Sequence, residues 1–169
     1  GAIQILDSKN IDFHLNILGK PADTELDTDY DTFLRDQAKD LMAKGKVSFL
    51  GPVSHSDAVN AYRSSEILVN LTESGSFDKV VLEMAACGKL ILVANPDFAS
   101  IMPDKWKEHL IFEKDNAEDL ALKLAYLLAL DPDGKRSLGE SLNREVNHTQ
   151  SLSFLRSEEH TSELQSRFG

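Results

Sequence analysis

The chain has 169 residues, of which 41% are hydrophobic, and this is enough for one globular domain with a buried core. Its formal net charge of −10 excludes the basic surface that non-specific nucleic-acid binding requires, so we expect no nucleic-acid partner. The single cysteine excludes an internal disulfide, and no apolar run approaches the roughly 18 residues that a membrane-spanning helix needs.

Strand and helix patterns alternate along the chain. Short apolar runs rich in branched residues predict strands at residues 13–18, 47–50, 67–70, 90–94 and 110–112. Apolar residues at helical spacing predict helices at 2–6, 29–44, 55–62, about 76–87, 100–108, 117–130 and 135–146. Because such alternation is typical of βαβ units, we predict a Rossmann-like three-layer α/β/α domain with a parallel sheet of about five strands. The helix at 29–44 is amphipathic, with apolar positions Tyr30, Phe33, Leu34, Ala38, Leu41 and Met42.

The segment 68–94 carries the clearest functional signal, a strand, a polar loop, an apolar helix that ends at Gly88, and a second strand. One carboxylate, Glu83, lies in that apolar helix. If the helix begins near Ser76 or Phe77, Glu83 lies less than two turns from its start, beside the carboxyl end of the preceding strand. Open parallel sheets bind ligands there, and a helix N-terminus suits a phosphate. The alternative is a glutamate that reaches solvent or caps a neighbouring loop.

Six segments in the same order resemble one enzyme family. They are the strand and glycine at 13–19, VSFLGPV at 47–53, the helix and strand at 61–70, FDKVVLEMAACG at 77–88, the strand at 90–94, and the block at 109–128. Together they resemble the C-terminal, donor-binding domain of GT-B glycosyltransferases of the retaining family 4, the group 1 glycosyltransferases. The resemblance covers residues 2–152.

The resemblance implies a role for each matching residue. Glu83 aligns with the second glutamate of the family's Glu-x7-Glu pair and would bind the ribose of a sugar nucleotide. The first glutamate, which helps to hold the transferred sugar, falls on Gly75, so the catalytic carboxylate is unassigned, with Glu73 two residues away. The diphosphate and sugar would lie against Ser74, Gly75, Ser76, Phe77, Asp78 and Lys79. The nucleobase would lie against Gly51, Pro52 and Val53, with Gly19 at the mouth of the crevice.

The implied reaction is retaining, metal-independent transfer of a sugar from a nucleoside-diphosphate sugar, without a cofactor. The implied partners are an N-terminal Rossmann-like domain, which we expect to be missing upstream of Gly1, and an acceptor glycan or lipid-linked sugar. We therefore expect the chain alone to be inactive. The expected location is the cytoplasm, or the inner face of the membrane through the missing half.

Two alternatives stay open. The chain is a degenerate, non-catalytic domain that binds nucleotide or a partner, which Gly75 favours, or it is part of a GT-B sugar-nucleotide epimerase. The histidines form no metal-ligand pattern, and the run Asp23, Asp27, Asp29, Asp31 reads as a solvated acidic loop rather than a calcium site. Cys87 lies in the apolar helix, so we expect an inert core thiol.

The C-terminal residues differ in character from the rest. The stretch RSEEHTSELQS at 156–166 resembles the translation of a short-read sequencing adapter. We therefore assign residues 1–155 to the domain and expect 156–169 to be a non-native tail, disordered or a loose helix. The alternative is a polar amphipathic C-terminal helix.

Overall fold

The computed structural model describes residues 1–20, 25–72 and 78–149, so the tail predicted at 156–169 lies outside the described residues. Helices and parallel strands alternate along these residues, which confirms the predicted α/β class. The chain divides into two compact units between Ser64 and Ser65.

The first unit contains α1 (Ala2–Ser8), β1 (Leu15–Leu18), α2 (Glu25–Ala43), β2 (Val47–Gly51) and α3 (His55–Ser64). The second contains β3 (Ile67–Asn70), α4 (Lys79–Ala86), β4 (Leu90–Val93), a 3-10 helix (Pro96–Ile101), α5 (Lys107–Leu110), α6 (Ala117–Ala129) and α7 (132–149). Among the described residues, no helix is both long and apolar enough to cross a membrane.

In the first unit, β1 and β2 run parallel, with Leu15 opposite Val47. Helix α2 packs on this pair through Ala38 and Leu41, which are buried with Val47 in one apolar cluster. Gly45 then turns the chain back into β2 with a φ of +69°, a conformation that glycine adopts without steric cost.

Helix α2 differs from its prediction in two respects. It begins at Glu25, four residues before the predicted start at 29. Its apolar residues also form a stripe that is buried over only part of its length. Ala38 and Leu41 are buried, whereas Tyr30 and Phe33 are 61% and 56% exposed and stack on each other with ring centroids 6.3 Å apart. The spacing was helical, but only the C-terminal half of the helix turns its apolar stripe to the strands.

In the second unit, β3 and β4 are parallel, with Ile67 opposite Leu90. All four residues of β4 are buried, as expected for a parallel strand covered on both faces. The strand predicted at 110–112 is reduced to a single parallel bridge between Val93 and Ile111. The Rossmann-like class is thus confirmed with fewer paired strands than the predicted five.

Helices α4 and α7 approach each other closely at two glycines. Gly88 ends α4 with a φ of +68°, and the N–H of Lys89 donates to the carbonyl of Met84 at 3.0 Å, which closes the helix. A Cβ atom placed on Gly139 of α7 would lie 2.1 Å from the carbonyl oxygen of Gly88. Only glycine fits at this contact.

Two of the later helices depart from their predicted bounds, and α6 between them does not. The helix predicted at 100–108 is instead the 3-10 helix Pro96–Ile101 followed by the short α5. Helix α6 agrees closely with the prediction, and Asn116 caps it by accepting from the N–H of Asp119 at 2.9 Å. Helix α7 is longer than predicted because Asp131 accepts from the N–H of Gly134 at 2.7 Å and starts the helix at residue 132.

Candidate functional site

In the first unit, the predicted glycines meet at the carboxyl ends of β1 and β2. The N–H of Gly19 donates to the carbonyl of Gly51 at 2.9 Å. Both have positive φ, +115° and +68°, and apart from the adjacent residues no atom of the described part of the chain lies within 4 Å of a Cβ placed on either. Pro52 is exposed and Val53 is partly buried. Among the described residues, this strand edge therefore leaves space beside the backbone of Gly19 and Gly51.

In the second unit, the end of β3 is joined to the start of α4 by Asn70. This residue is only 7% exposed. Its Nδ2 donates to Oδ2 of Asp78 at 2.9 Å and to the hydroxyl of Thr72 at 3.3 Å, while its Oδ1 accepts from the N–H of Thr72 at 3.2 Å. The amide thus connects the two ends of the predicted phosphate-binding loop.

Asp78 is the N-cap of α4. Its Oδ1 accepts from the N–H of Val80 at 3.3 Å, and its carbonyl accepts from the N–H of Val81 at 3.1 Å. Its backbone is extended, with φ −73° and ψ 114°, so the helix begins at Lys79 and not at the predicted Ser76 or Phe77. A capping carboxylate at this position accounts for the later start.

Of the residues predicted to bind the diphosphate and sugar, the structure describes only Asp78 and Lys79. Ser74, Gly75, Ser76 and Phe77 lie outside the described residues, as does Glu73. Of the remainder, the carboxylate of Asp78 already occupies an N–H at the start of the helix. Lys79 is exposed and forms no ion pair within the described part of the chain.

Glu83 lies four residues after Lys79, roughly 6 Å along the axis of α4. The opposite face of the helix is the buried one and carries Val81, Met84 and Ala85. Glu83 is exposed, and its carboxylate makes no hydrogen bond or ion pair with any residue in the described ranges. The charge is therefore solvated and accessible to a ligand.

Two other predictions need correction. Cys87 is exposed and is not a core thiol, because it lies at the C-cap, where α4 ends. Asp27, Asp29 and Asp31 belong to α2 and not to a loop, while Asp23 lies outside the described residues. An acidic stretch beside apolar residues at helical spacing was the signal that this segment is helical.

Asn70 and Thr72 were missed by the sequence-based reasoning. The relevant signal was weak, a polar residue that ends an apolar strand with an aspartate eight positions later. Asn, Thr and Asp near a helix start are common caps, so the spacing alone did not indicate a buried network.

A sequence model of the family described as "Glycosyl transferases group 1" matches residues 1–143. Over 112 residues the chain is 30% identical to the D-inositol 3-phosphate glycosyltransferase of Mycobacteroides abscessus, a match that covers 66% of this chain and 25% of that protein.

Among solved structures, the sucrose-phosphate synthase from Thermosynechococcus elongatus matches with a TM-score of 0.70 and 17% identity, over 98% of this chain and 42% of that one. The Anabaena protein HepE, in complex with UDP and glucose, matches with a TM-score of 0.64 and 16% identity, over 85% and 40%. These likenesses show a shared fold. The chain spans less than half the length of each of these three proteins.

Proposed function

The chain belongs to the group 1 glycosyl transferases, and from this premise we propose that it is the donor-binding half of a retaining, hexosyltransferase-type enzyme of family 4. Its ligand would be a nucleoside-diphosphate sugar. The resemblance of residues 77–88 to the family helix and the complex of the similarly folded HepE with UDP and glucose support this proposal.

The observation that carries the proposal is the exposed carboxylate of Glu83. A carboxylate offers two acceptor oxygens, which suit the two hydroxyl donors of a ribose. Glu83 lies about one turn into α4, the helix that follows the carboxyl end of β3, where open α/β sheets hold their ligands. No described residue competes for its oxygens, so a ligand can take them.

Charge on the departing nucleoside diphosphate would be stabilised by the protein itself. Lys79, exposed at the first position of α4, is the described cation nearest the helix start in sequence. Preorganised charges of this kind stabilise a leaving group without a metal or cofactor. The contact of Gly19, Gly51, Pro52 and Val53 with the nucleobase stays a prediction from the resemblance.

The rest of the proposal concerns the whole enzyme. We expect an N-terminal Rossmann-like domain to supply the acceptor site, and the acceptor to be a glycan or a lipid-linked sugar. We expect the chain alone to bind donor without transferring sugar. A cytoplasmic enzyme, or one peripheral to the inner face of the membrane, fits such an acceptor.

One observation favours the second candidate, a non-catalytic nucleotide-binding domain. Gly75 stands where the family has its first glutamate, and the carboxylate of Asp78 caps the helix end that would otherwise face a phosphate. Both features reduce the donors and carboxylates available for sugar transfer, and neither affects the ribose contact at Glu83.

The ribose contact is tested by titrating the chain calorimetrically with UDP-glucose, GDP-mannose, ADP-glucose and the corresponding free diphosphates. For the nucleotide that binds, we expect the wild-type chain to prefer the ribonucleotide over its 2′-deoxy form by about tenfold, because a charge-assisted hydrogen bond is lost. In Glu83→Gln this preference should be largely lost.

Glu140→Gln is the matched control, because Glu140 is an exposed glutamate on α7 and its replacement changes the net charge equally. It should leave affinity and preference unchanged. If no nucleotide binds to the wild-type chain, the donor-site proposal is wrong. If a ribonucleotide preference persists in Glu83→Gln, Glu83 does not contact the ribose.

A further inference from the structure

The carboxylate of Asp78 is held in place on both sides. Oδ1 accepts from Val80 N–H at 3.3 Å, whereas Oδ2 accepts from Asn70 Nδ2 at 2.9 Å and lies 3.5 Å from the Thr72 hydroxyl. Asn70 is itself buried in the last position of β3 and cannot turn away without losing these bonds. A negative charge is therefore fixed beside the start of α4.

This fixed charge changes what a phosphate group meets there. A helix N-terminus favours an anion through its free N–H groups and its dipole. Here one N–H and part of that favourable potential are already used by Asp78. Lys79, next in the chain and exposed, offsets one negative charge of an approaching ligand but not two.

We propose that Asp78, fixed by Asn70, is a specificity-determining residue that shifts the donor site toward nucleoside-diphosphate sugars and away from free nucleoside diphosphates. This inference rests on the proposed function. In a sugar nucleotide the terminal phosphate is esterified and carries one charge. In the free diphosphate that group has a second ionisation near neutral pH, as phosphate monoesters do, and carries almost two. The additional charge is the one that Asp78 repels. The same repulsion favours release of the diphosphate after transfer.

The test compares the ratio of Kd values for each diphosphate and its sugar ester, measured by calorimetry at low salt. The substitutions are Asp78→Asn and Asp78→Ser, which remove the charge and retain a side chain suited to an N-cap. For the nucleotide that binds, we expect the free diphosphate to tighten three- to tenfold more than the sugar nucleotide, in the range of one screened charge pair. The gain should shrink at high ionic strength.

Three comparisons make the outcome decisive. Glu140→Gln, which removes a distant charge, should leave the ratio unchanged. The methyl ester of the diphosphate carries the charge of the sugar nucleotide without the sugar, so with wild-type protein it should behave like the sugar nucleotide, a result that needs no folded variant. Thermal unfolding of each variant checks its fold.

The outcomes separate the role of Asp78 from the existence of the donor site. Equal tightening of both ligands, or a methyl ester that behaves like the free diphosphate, would overturn the role of Asp78 and leave the donor site intact. A failure of every nucleotide to bind to every protein would overturn this inference and the proposed function together.

Discussion

A single buried side chain, Asn70, organises the polar contacts between the end of β3 and the start of α4. It is buried, and its amide group hydrogen-bonds both to Thr72, two residues away, and to Asp78, eight residues away. Buried polar groups are costly unless all their bonds are made, so each partner depends on the others. The ends of the loop between β3 and α4 are tied together as a result.

We expect Asn70→Ala to destabilise the chain by about 1–3 kcal/mol, because it leaves the N–H of Thr72 and the carboxylate of Asp78 without their partner. Urea unfolding followed by the fluorescence of Trp106, which lies in the same unit, measures the change. Asn60→Ala is the control, because Asn60 is exposed on α3 and should cost little. Equal stability of the two variants would show that the network contributes nothing.

At the scale of elements, the packing of α7 on α4 decides the shape of the second unit. Gly88 ends α4, and Gly139 lets α7 approach the Gly88 carbonyl to a distance that no Cβ tolerates. Asn143, one turn further along α7, donates to the carbonyl of Ala86 at the last position of α4. The two helices are therefore joined by a side-chain hydrogen bond to the end of α4 and by a close backbone contact.

Gly139→Ala should destabilise the chain by about 1–3 kcal/mol, although alanine is the better helix former, since its Cβ would overlap a backbone carbonyl. Differential scanning calorimetry gives the shift in Tm. Gly134→Ala provides the comparison in the same helix. There the added Cβ would lie 3.0 Å from Oδ1 of Asp131 and 3.7 Å from the side chain of Leu130, so only side chains, and no backbone, would need to shift. A Gly139→Ala variant at least as stable as Gly134→Ala would contradict the close approach.

At the scale of the whole molecule, the chain carries a net charge of −10, and some of its carboxylates stabilise the fold. In the first unit, hydrogen bonds from Lys44 and Lys46, each 2.7 Å long, hold the pKa of Asp7 below its usual value. In the second, burial raises the pKa of Asp119, but the N–H of Glu113 and the ammonium of Lys123 outweigh this and lower it. Both units therefore lose stability when their carboxylates are protonated.

Asp7→Asn should lower stability at neutral pH and have no effect in strong acid. Because the folded pKa of Asp7 is lowered from 3.8, its contribution is present above that value and is lost as the pH falls through the folded pKa. Urea unfolding from pH 7 to pH 2, followed by circular dichroism, should show the wild-type and variant curves converging. Asp12→Asn, at an exposed position, should match wild type throughout. Parallel curves for Asp7→Asn would contradict the ion pair.

Much of the fold followed from short windows of sequence. The strand at 67–70 and the helix at 117–130 were predicted almost to the residue because their apolar period, caps and stops all lie within the segment. The placement of Glu83 in a helix behind a strand, less than two turns from the helix start, followed in the same way, as did the glycines that end β1, β2 and α4. Local periodicity and backbone conformation were enough for these features.

Other features required the three-dimensional structure. The start of α4 depends on Asp78 meeting Asn70, and the approach of α7 depends on two glycines 51 positions apart (88 and 139). The exposure of Tyr30 depends on how much of α2 lies against the strands. Each is a choice among conformations that the local sequence permits about equally. The sequence by itself therefore determined most of the elements and the helix that carries the candidate carboxylate, because both depend on neighbours along the chain. Only the tertiary structure decided which polar groups are satisfied and which remain open to a ligand, because hydrogen bonding and burial depend on neighbours in space.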